Sequence, residues 1–122
     1  IRGHKIIMER KLLNENQSVF KVGEQSDQMF LLVKGKVGIY LPINETNIPN
    51  FIIEENELFG EMGVIENELR SASARCMEAS ELICVTKDEF NKRVDNSDVF
   101  VKGCLQALSY RLRTLNKQNQ KK

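Results

Sequence analysis

Short apolar runs separated by turn-forming residues fill the first two thirds of the chain. Runs of this length that are bounded by Gly, Pro and Asn predict strands rather than helices. The predicted strands cover residues 19–22, 29–33, 37–41, 51–53, 71–77 and 81–85, and an uncertain first strand begins near residues 6–8. Residues 29–33 are apolar throughout, which is typical of a strand buried on both faces. Between two strands, Gly35 is expected to take a positive φ in a tight turn.

The hydrophobic period changes after residue 85. Thr86 followed three residues later by Glu89 is typical of a helix start, and Asn96, Ser97 or Asp98 can cap a second helix. That helix carries an apolar stripe at steps of four and three, formed by Val101, Leu105, Leu108, Leu112 and Leu115.

Strands followed by helices predict an α+β fold that is mainly β. We expect an antiparallel β-roll, of the double-stranded β-helix or jelly-roll kind, with C-terminal helices. A single domain is expected to fill residues 1–122, with the roll over about 6–86, the helices over about 87–116 and a polar tail over 117–122.

Composition narrows the function classes. The 122 residues carry a net charge of +1, so no strong field favours nucleic acid or membrane, and no apolar run approaches the length of a membrane helix.

The odd number of cysteines, the absence of a C-x-x-C motif and the absence of a signal-peptide pattern favour a reducing, cytoplasmic location. We expect Cys76, Cys84 and Cys104 to be small buried hydrophobes. His4 is the only histidine, which argues against a metal site and against hydrolytic catalysis. The chain begins at Ile1, which suggests a fragment.

One stretch carries candidate binding chemistry. Phe59-Gly60-Glu61-Met62 opens a short helical turn, and Arg70-Ser71-Ala72-Ser73 follows it. Gly60 lets a ligand approach the backbone, and Arg70 can hold a phosphate through two parallel N–H bonds. Glu61 would repel phosphate, so its natural partner is a hydroxyl group. This chemistry indicates a ligand with an anionic end and a hydroxyl-bearing end. The alternative is that Glu61 and Arg70 form only a surface ion pair.

The order of these parts resembles the cyclic nucleotide-binding domain of catabolite-activator-type regulators, cyclic-nucleotide-dependent kinases and gated channels. The resemblance covers residues from about 12 to 116. It lies in Gly23-Glu24 and Asp27, in the glycine-punctuated strand Gly35-x-Val37-x-Ile39-Tyr40, and in the FGE and RSA segments at 59–61 and 70–72.

The resemblance implies roles for individual residues. Residues 59–73 would form the phosphate-binding cassette, in which Arg70 holds the cyclic phosphate and Glu61 accepts a hydrogen bond from the ribose 2′-hydroxyl. The remaining implied contacts are with the backbone of Gly60, with Met62 over the base, with Ser71 and Ala72 beside the phosphate, and with Val37 near the base. The last helix would act as a lid through Leu112, Leu115 and Asn116.

The implied function is that of a non-catalytic sensor. It would bind a 3′,5′-cyclic purine nucleotide, with cAMP favoured and cGMP second, and would respond by moving its last helix to act on an unidentified effector. No catalytic cofactor or metal is expected, and DNA binding is not expected because no helix-turn-helix follows residue 116. The main alternative is a ligand-free β-roll that binds other proteins. A cupin-like metal enzyme and dimerisation through the leucine stripe are further alternatives.

Overall fold

The computed structural model describes residues 9–120, with side chains as far as residue 115. The predicted start of the first strand, at residues 6–8, lies outside this part. The described strands are β1 (Glu9–Leu13), β2 (Ser18–Phe20), β3 (Gln28–Lys34), β4 (Val37–Tyr40), β5 (Phe51–Ile53), β6 (Leu58–Phe59), β7 (Ser73–Cys76) and β8 (Ser80–Thr86). The helices are α1 (Glu61–Glu66), α2 (Lys87–Asp95) and α3 (Val99–Gln120).

Two four-stranded antiparallel sheets form the first part of the chain. Their strand orders are β1-β8-β3-β6 and β2-β7-β4-β5, so strands distant in sequence pair with each other. Both sheets supply the core, because β3, β6 and β8 of the first sheet and β2, β4 and β7 of the second each contribute buried side chains. The core side chains are Phe20, Phe30, Leu32, Val37, Phe59, Ala74, Cys76, Leu82 and Cys84. The predicted fold class, a mainly β antiparallel roll with helices, is confirmed.

Strand β3 shows where the apolar pattern over-predicted burial. Met29, Phe30 and Leu32 are buried, whereas Leu31 and Val33 are only half-buried. The reason is geometric: successive side chains on a strand point to opposite faces, and Phe30 and Leu32 share the face that lines the core. On the opposite face Met29 alone is buried, so the predicted burial on both faces is wrong for Leu31 and Val33.

The cysteines differ in their surroundings. Cys76 and Cys84 are buried in the core, and burial raises the pKa of both thiols, which keeps them protonated and unreactive. Cys104 is exposed on α3, so its predicted burial is wrong. Its position lies off the leucine stripe, one residue before Leu105.

The chain divides after Lys87 into two compact units. In the second unit, Asp98 is the capping residue of α3, since its carboxylate accepts a hydrogen bond from the backbone N–H of Val101 at 2.9 Å. Helix α3 continues to Gln120, beyond the predicted helix end at 116. Within it, the five stripe residues retain between 36% and 55% exposure. Among the described residues, no helix combines the length and apolar character needed to cross a membrane.

Gly35 closes the β3–β4 turn with a φ of +104°, as the sequence predicted. A Cβ at this position would lie 2.7 Å from the carbonyl oxygen of Ala79 and 2.8 Å from Cα of Ser80. Gly23 has a similar φ of +87°, but no atom lies within 4 Å of the place its Cβ would take. An alanine at position 23 would therefore meet backbone strain alone, whereas an alanine at position 35 would meet both backbone strain and steric overlap.

We predict that Gly35→Ala destabilises the fold much more than Gly23→Ala. Positive φ alone costs about 1 kcal/mol for alanine, and overlap with fixed backbone atoms should bring the loss at Gly35 to about 3 kcal/mol or more. Urea unfolding at neutral pH measures both losses. Equal losses for the two variants would contradict the steric account of this turn.

Candidate functional site

Helix α1 begins at a glycine that no other residue replaces easily. Gly60 precedes the helix with a φ of 74° and a ψ of 12°, in the left-handed region. A Cβ here would lie 3.0 Å from Cε2 of Phe20 and 3.1 Å from Nη1 of Arg70. The sequence suggested that Gly60 leaves space for a ligand. The structure adds that the space beside it is already filled by an aromatic ring and a guanidinium group.

Arg70 is the only arginine or lysine whose side chain is buried in the described part of the chain, with 6% exposure. Its Nη1 donates to the carbonyl oxygen of Gly60 at 2.7 Å, and its Nη2 donates to the carbonyl oxygen of Gln28 at 2.5 Å. Its Nε is buried and has no hydrogen-bond partner. A buried N–H without a partner is costly, so this guanidinium retains an unmet donor.

One face of the Arg70 guanidinium lies on an aromatic ring. Its Cζ is 4.2 Å from the ring centroid of Phe20 and 5.7 Å from that of Phe30. Burial lowers the pKa of Arg70, while the nearby carboxylates of Asp27, Glu24 and Glu61 act in the opposite direction. Arginine stays charged under any such shift, so the site contains a permanent, desolvated positive charge.

The segment at 23–27 holds the backbone of Arg70. The N–H of Gly23 donates to the carbonyl of Arg70 at 2.8 Å, and the N–H of Arg70 donates to the carbonyl of Glu24 at 2.8 Å. These reciprocal bonds explain why Gly23-Glu24, far away in sequence, belongs to the same site. Backbone and side chain of Arg70 are therefore both fixed by residues outside α1.

Glu61 and Ser71 are available to a ligand. Glu61 is half-buried at the start of α1, Ser71 is exposed, and neither side chain forms a hydrogen bond or ion pair with another residue that the structure describes. The surface ion pair between Glu61 and Arg70, considered as an alternative above, is not what the structure shows. Arg70 is buried, and its Nη atoms bind carbonyl oxygens instead.

The other cassette residues serve packing as well as access. Ala72 is buried with 9% exposure, immediately before β7. Met62 is half-buried on α1, whose fully buried residue is Val64. Position 63 has no room for a side chain, because a Cβ on Gly63 would lie 2.1 Å from Oγ of Ser26. Helix α1 thus rests on the same 23–27 segment that binds the Arg70 backbone.

Val37 lies away from the accessible surface. It has 0% exposure and belongs to the core, opposite Cys76 on β7. Ile39 lies on the same face of β4, is half-buried, and pairs with Ala74, two residues after Ala72. In this register Ile39 is nearer than Val37 to the Arg70–Ala72 segment and has surface to offer. The alternation along β4 could have revealed Ile39, but the strand register could not be read from the sequence.

The predicted lid residues belong to α3. Leu112 is 43% exposed and Leu115 is 55% exposed, and the side chain of Asn116 lies outside the described part of the structure. The structure therefore brings together Gly60, Glu61, Met62 and the 70–72 segment within the first unit, and leaves the lid role a prediction. Within the described residues, no group of three His, Cys, Asp or Glu side chains is placed to hold a metal ion.

Two contributors to the site were not predicted as such. Phe20 was assigned only to a strand, because an apolar residue in a strand indicates core packing and nothing more. The carbonyl of Gln28 offers no signal in a sequence, since every residue has one. The site thus offers a buried positive charge at Arg70 and, at Glu61, a carboxylate that can accept a hydrogen bond from a hydroxyl group.

Comparison with known proteins agrees with this geometry. The family model described as "Cyclic nucleotide-binding domain" matches residues 10–97 of this chain. The chain is 26% identical to cGMP-dependent protein kinase 2 of Mus musculus over 119 residues, which is 94% of this chain and 15% of the kinase. It is 26% identical to the Cyclic AMP receptor protein of Thermus thermophilus over 108 residues, which is 86% of this chain and 49% of that protein. The chain thus spans half or less of these curated relatives.

Solved structures give the same result. The half-site-occupied form of the EAL enzyme Bd1971 superposes with a TM-score of 0.80 at 36% identity, covering 90% of this chain and 99% of that one. The same enzyme has been solved with cAMP bound, and this form gives a TM-score of 0.71 over 91% of this chain and 30% of that one. The Thermus thermophilus catabolite activator protein, at 23% identity and a TM-score of 0.72, shares the fold over 93% of this chain and 54% of its own. The chain therefore belongs to the cyclic nucleotide-binding domain family.

Proposed function

We propose that this chain is a non-catalytic sensor domain that binds a 3′,5′-cyclic purine nucleotide, with cAMP favoured and cGMP second. Binding would be reported by a change in α3 to an effector that remains to be identified. The cysteine usage fits a reducing, cytoplasmic compartment.

The buried Arg70 is the observation that carries the proposal. Its charge is desolvated, its Nη atoms are held by two carbonyl oxygens, and its Nε lacks a partner. A cyclic phosphate would supply acceptor oxygens for that donor and a negative charge for the cation. Charge-assisted bonds of this kind are about twice as strong as neutral ones, so the phosphate end should dominate the affinity.

The second end of the ligand is set by Glu61. Three carboxylates act on Arg70, and of these Glu61 stands at the start of α1, next to the glycine whose carbonyl Arg70 binds. A carboxylate accepts hydrogen bonds but donates none when ionised, which suits a ribose 2′-hydroxyl. Ser71, exposed and adjacent to Arg70, would add its hydroxyl and N–H to the phosphate.

The base is the least determined part of the ligand. Ile39 and Met62, both half-buried, offer apolar surface for a purine, and Ile39 is a better candidate than the fully buried Val37. The relatives include a cGMP-dependent kinase and a cyclic AMP receptor protein, and Bd1971 has been solved with either nucleotide. Ser71 does not decide between the two nucleotides: cGMP-preferring members of the resembled family often carry threonine at this position, but cAMP-binding members also carry serine.

One observation favours the ligand-free alternative. Arg70 already joins α1 to β3 by binding the carbonyls of Gly60 and Gln28, which is a structural task that needs no ligand. A protein-interaction module could retain the arginine for that purpose alone. Direct titration with nucleotide separates the two functions.

We predict that Arg70→Ala weakens cAMP binding by on the order of a hundredfold, about 3 kcal/mol, in isothermal titration calorimetry. Arg70→Lys should recover only part of the loss, since lysine keeps the charge but not the planar fork. Wild-type protein should bind cAMP and cGMP but not 5′-AMP, which lacks the cyclic phosphate.

The matched control is Arg75→Ala. Arg75 also stacks on an aromatic ring, with its Cζ 4.3 Å from the centroid of Tyr40, but it lies outside the proposed site. Replacement of Arg75 by alanine should leave the affinity for cAMP unchanged. Thermal unfolding without ligand checks that each variant is folded. If wild-type protein gives no heat and no thermal shift with either cyclic nucleotide, the interaction module replaces the sensor.

We predict that removing the Glu61 carboxylate and removing the ribose 2′-hydroxyl weaken cAMP binding non-additively, because each change breaks the same hydrogen bond. Glu61→Gln should weaken cAMP binding less than Arg70→Ala does, and wild-type protein should bind 2′-deoxy-cAMP poorly. The Glu61→Gln variant, however, should lose little further affinity when the ribose 2′-hydroxyl is removed, because the carboxylate partner of that hydroxyl is already absent. Glu68→Gln, at an exposed acid after α1, is the control. Additive losses in the calorimetric cycle would show that Glu61 and the hydroxyl do not pair.

We predict that saturating cAMP changes the amide-exchange protection of residues 100–116. A ligand shifts a conformational equilibrium only through a different affinity for the two states, so exchange in α3 reports whether such a difference exists. Hydrogen–deuterium exchange with mass spectrometry measures it, with 5′-AMP as the control nucleotide. Binding of cAMP with unchanged exchange in α3 would rule out this helix as the reporting element.

A further inference from the structure

The orientation of Arg70 depends on more than its hydrogen bonds. Both Nη atoms are tied to carbonyl oxygens, but a guanidinium held only along one edge can still tilt about that edge. Its nearest aromatic restraint is the ring of Phe20, whose centroid lies 4.2 Å from Cζ, compared with 5.7 Å for the centroid of Phe30. This distance is well inside the roughly 6 Å limit for an attractive contact between a cation and an aromatic face.

The ring of Phe20 is itself fixed. It is 9% exposed and packs on Phe30 and Phe59, with centroid separations of 5.9 Å and 6.3 Å. Phe20 ends β2 and pairs with Ala74 on β7, the strand that follows the Arg70–Ala72 segment. The ring therefore forms a rigid surface anchored in the core and directed at the guanidinium.

Gly60 completes this contact. Its Cβ, if present, would lie 3.0 Å from Phe20 and 3.1 Å from Nη1 of Arg70, so ring, guanidinium and helix start are packed against one another. With the Nη atoms bound to carbonyls and one face on the ring, Nε is the buried donor without a partner. Tilting of the guanidinium would move this donor away from where it now points.

We propose that Phe20 is a positioning residue for the anion: its ring holds the Arg70 guanidinium in the orientation that presents Nε to the ligand before the ligand arrives. The inference rests on the proposed function for the identity of the anion, a cyclic phosphate. It assigns to a core phenylalanine on β2 a role in affinity that its burial alone does not indicate. Because ordering an arginine opposes binding, a preset guanidinium raises the affinity.

Two changes at Phe20 test this role. Phe20→Leu removes the ring, and pentafluorophenylalanine in place of Phe20 keeps its shape while reversing the charge distribution of its face. Each should weaken cAMP binding by about fivefold, which is about 1 kcal/mol. In the Arg70→Ala background, Phe20→Leu should cause no further loss. Tyr40→Leu is the matched control, since it removes the ring under Arg75 instead.

A second readout is independent of the nucleotide. In ligand-free protein, the Arg70 Nε–H should give a protected signal in nitrogen-15 NMR, and both Phe20 changes should speed its exchange with water. Tyr40→Leu should not affect it. A purely structural role for Phe20 predicts that the fluorinated ring, which has nearly the same shape, changes neither affinity nor exchange.

The outcomes are distinguishable. Wild-type exchange and affinity in the fluorinated protein would overturn the positioning role, whether or not Phe20→Leu folds. An equal loss of affinity in Tyr40→Leu would also overturn it. If Nε–H exchange depends on Phe20 but neither cyclic nucleotide binds, the positioning role stands and the proposed nucleotide ligand is wrong.

Discussion

The burial of one arginine is the constraint on which the rest of the site depends. A buried cation must be paired or hydrogen-bonded, and here no carboxylate of a described residue is within ion-pair distance of Arg70. Two carbonyl oxygens and an aromatic face take that place. This solution explains why Gly60 has no side chain and why the distant 23–27 segment returns to bind the Arg70 backbone. Because the partners of the Nη atoms are neutral and Nε is unpaired, the guanidinium keeps a donor that suits an anion.

The two ends of the site differ in how firmly the surrounding residues hold their side chains. Arg70 is surrounded by core residues, whereas Glu61 and Ser71 stand at its edge with side chains free of hydrogen bonds to described residues. A phosphate would meet a donor that is already ordered, and a ribose would meet an acceptor that must still be ordered. The first contact loses little entropy on binding and the second loses more. In the proposed complex, recognition of the phosphate would therefore depend on the fold itself, and recognition of the sugar would depend on one side chain.

The sequence predicted those parts of the fold and site that depend on local pattern. Alternation and turn residues predicted most of the strands and the positive φ at Gly35, and the residue types at Gly60 and Arg70 indicated that the two belong to one site. The sequence did not reveal the features that depend on pairing between distant segments. The register that places Ile39 rather than Val37 near Ala72 is of this kind, and so is the Phe20 ring beneath Arg70. An apolar strand residue has the same appearance in a sequence whether it fills the core or orients a charge. The exposed Cys104 and the extension of α3 to Gln120 show the same limit, since residue type alone does not fix burial or a frayed end.

The proposed sensor function needs a physical connection between ligand and response, and hydrogen bonds within the first unit link α1 to Lys87. Asn67, in the left-handed conformation, ends α1, and its side-chain oxygen accepts a hydrogen bond from Nζ of Lys87. The backbone N–H of Lys87 donates to the carbonyl of Asp27 at 3.0 Å, within the segment that supports Arg70. Lys87 is also the first residue of α2 and the last of the first unit. A shift of α1 on binding would thus reach the residue from which the C-terminal helices begin, through two hydrogen bonds rather than through the core. Because surface hydrogen bonds of this kind rearrange at low cost while close-packed cores do not, this junction is where, in the proposed sensor, a small movement in the cassette would reach the first residue of α2.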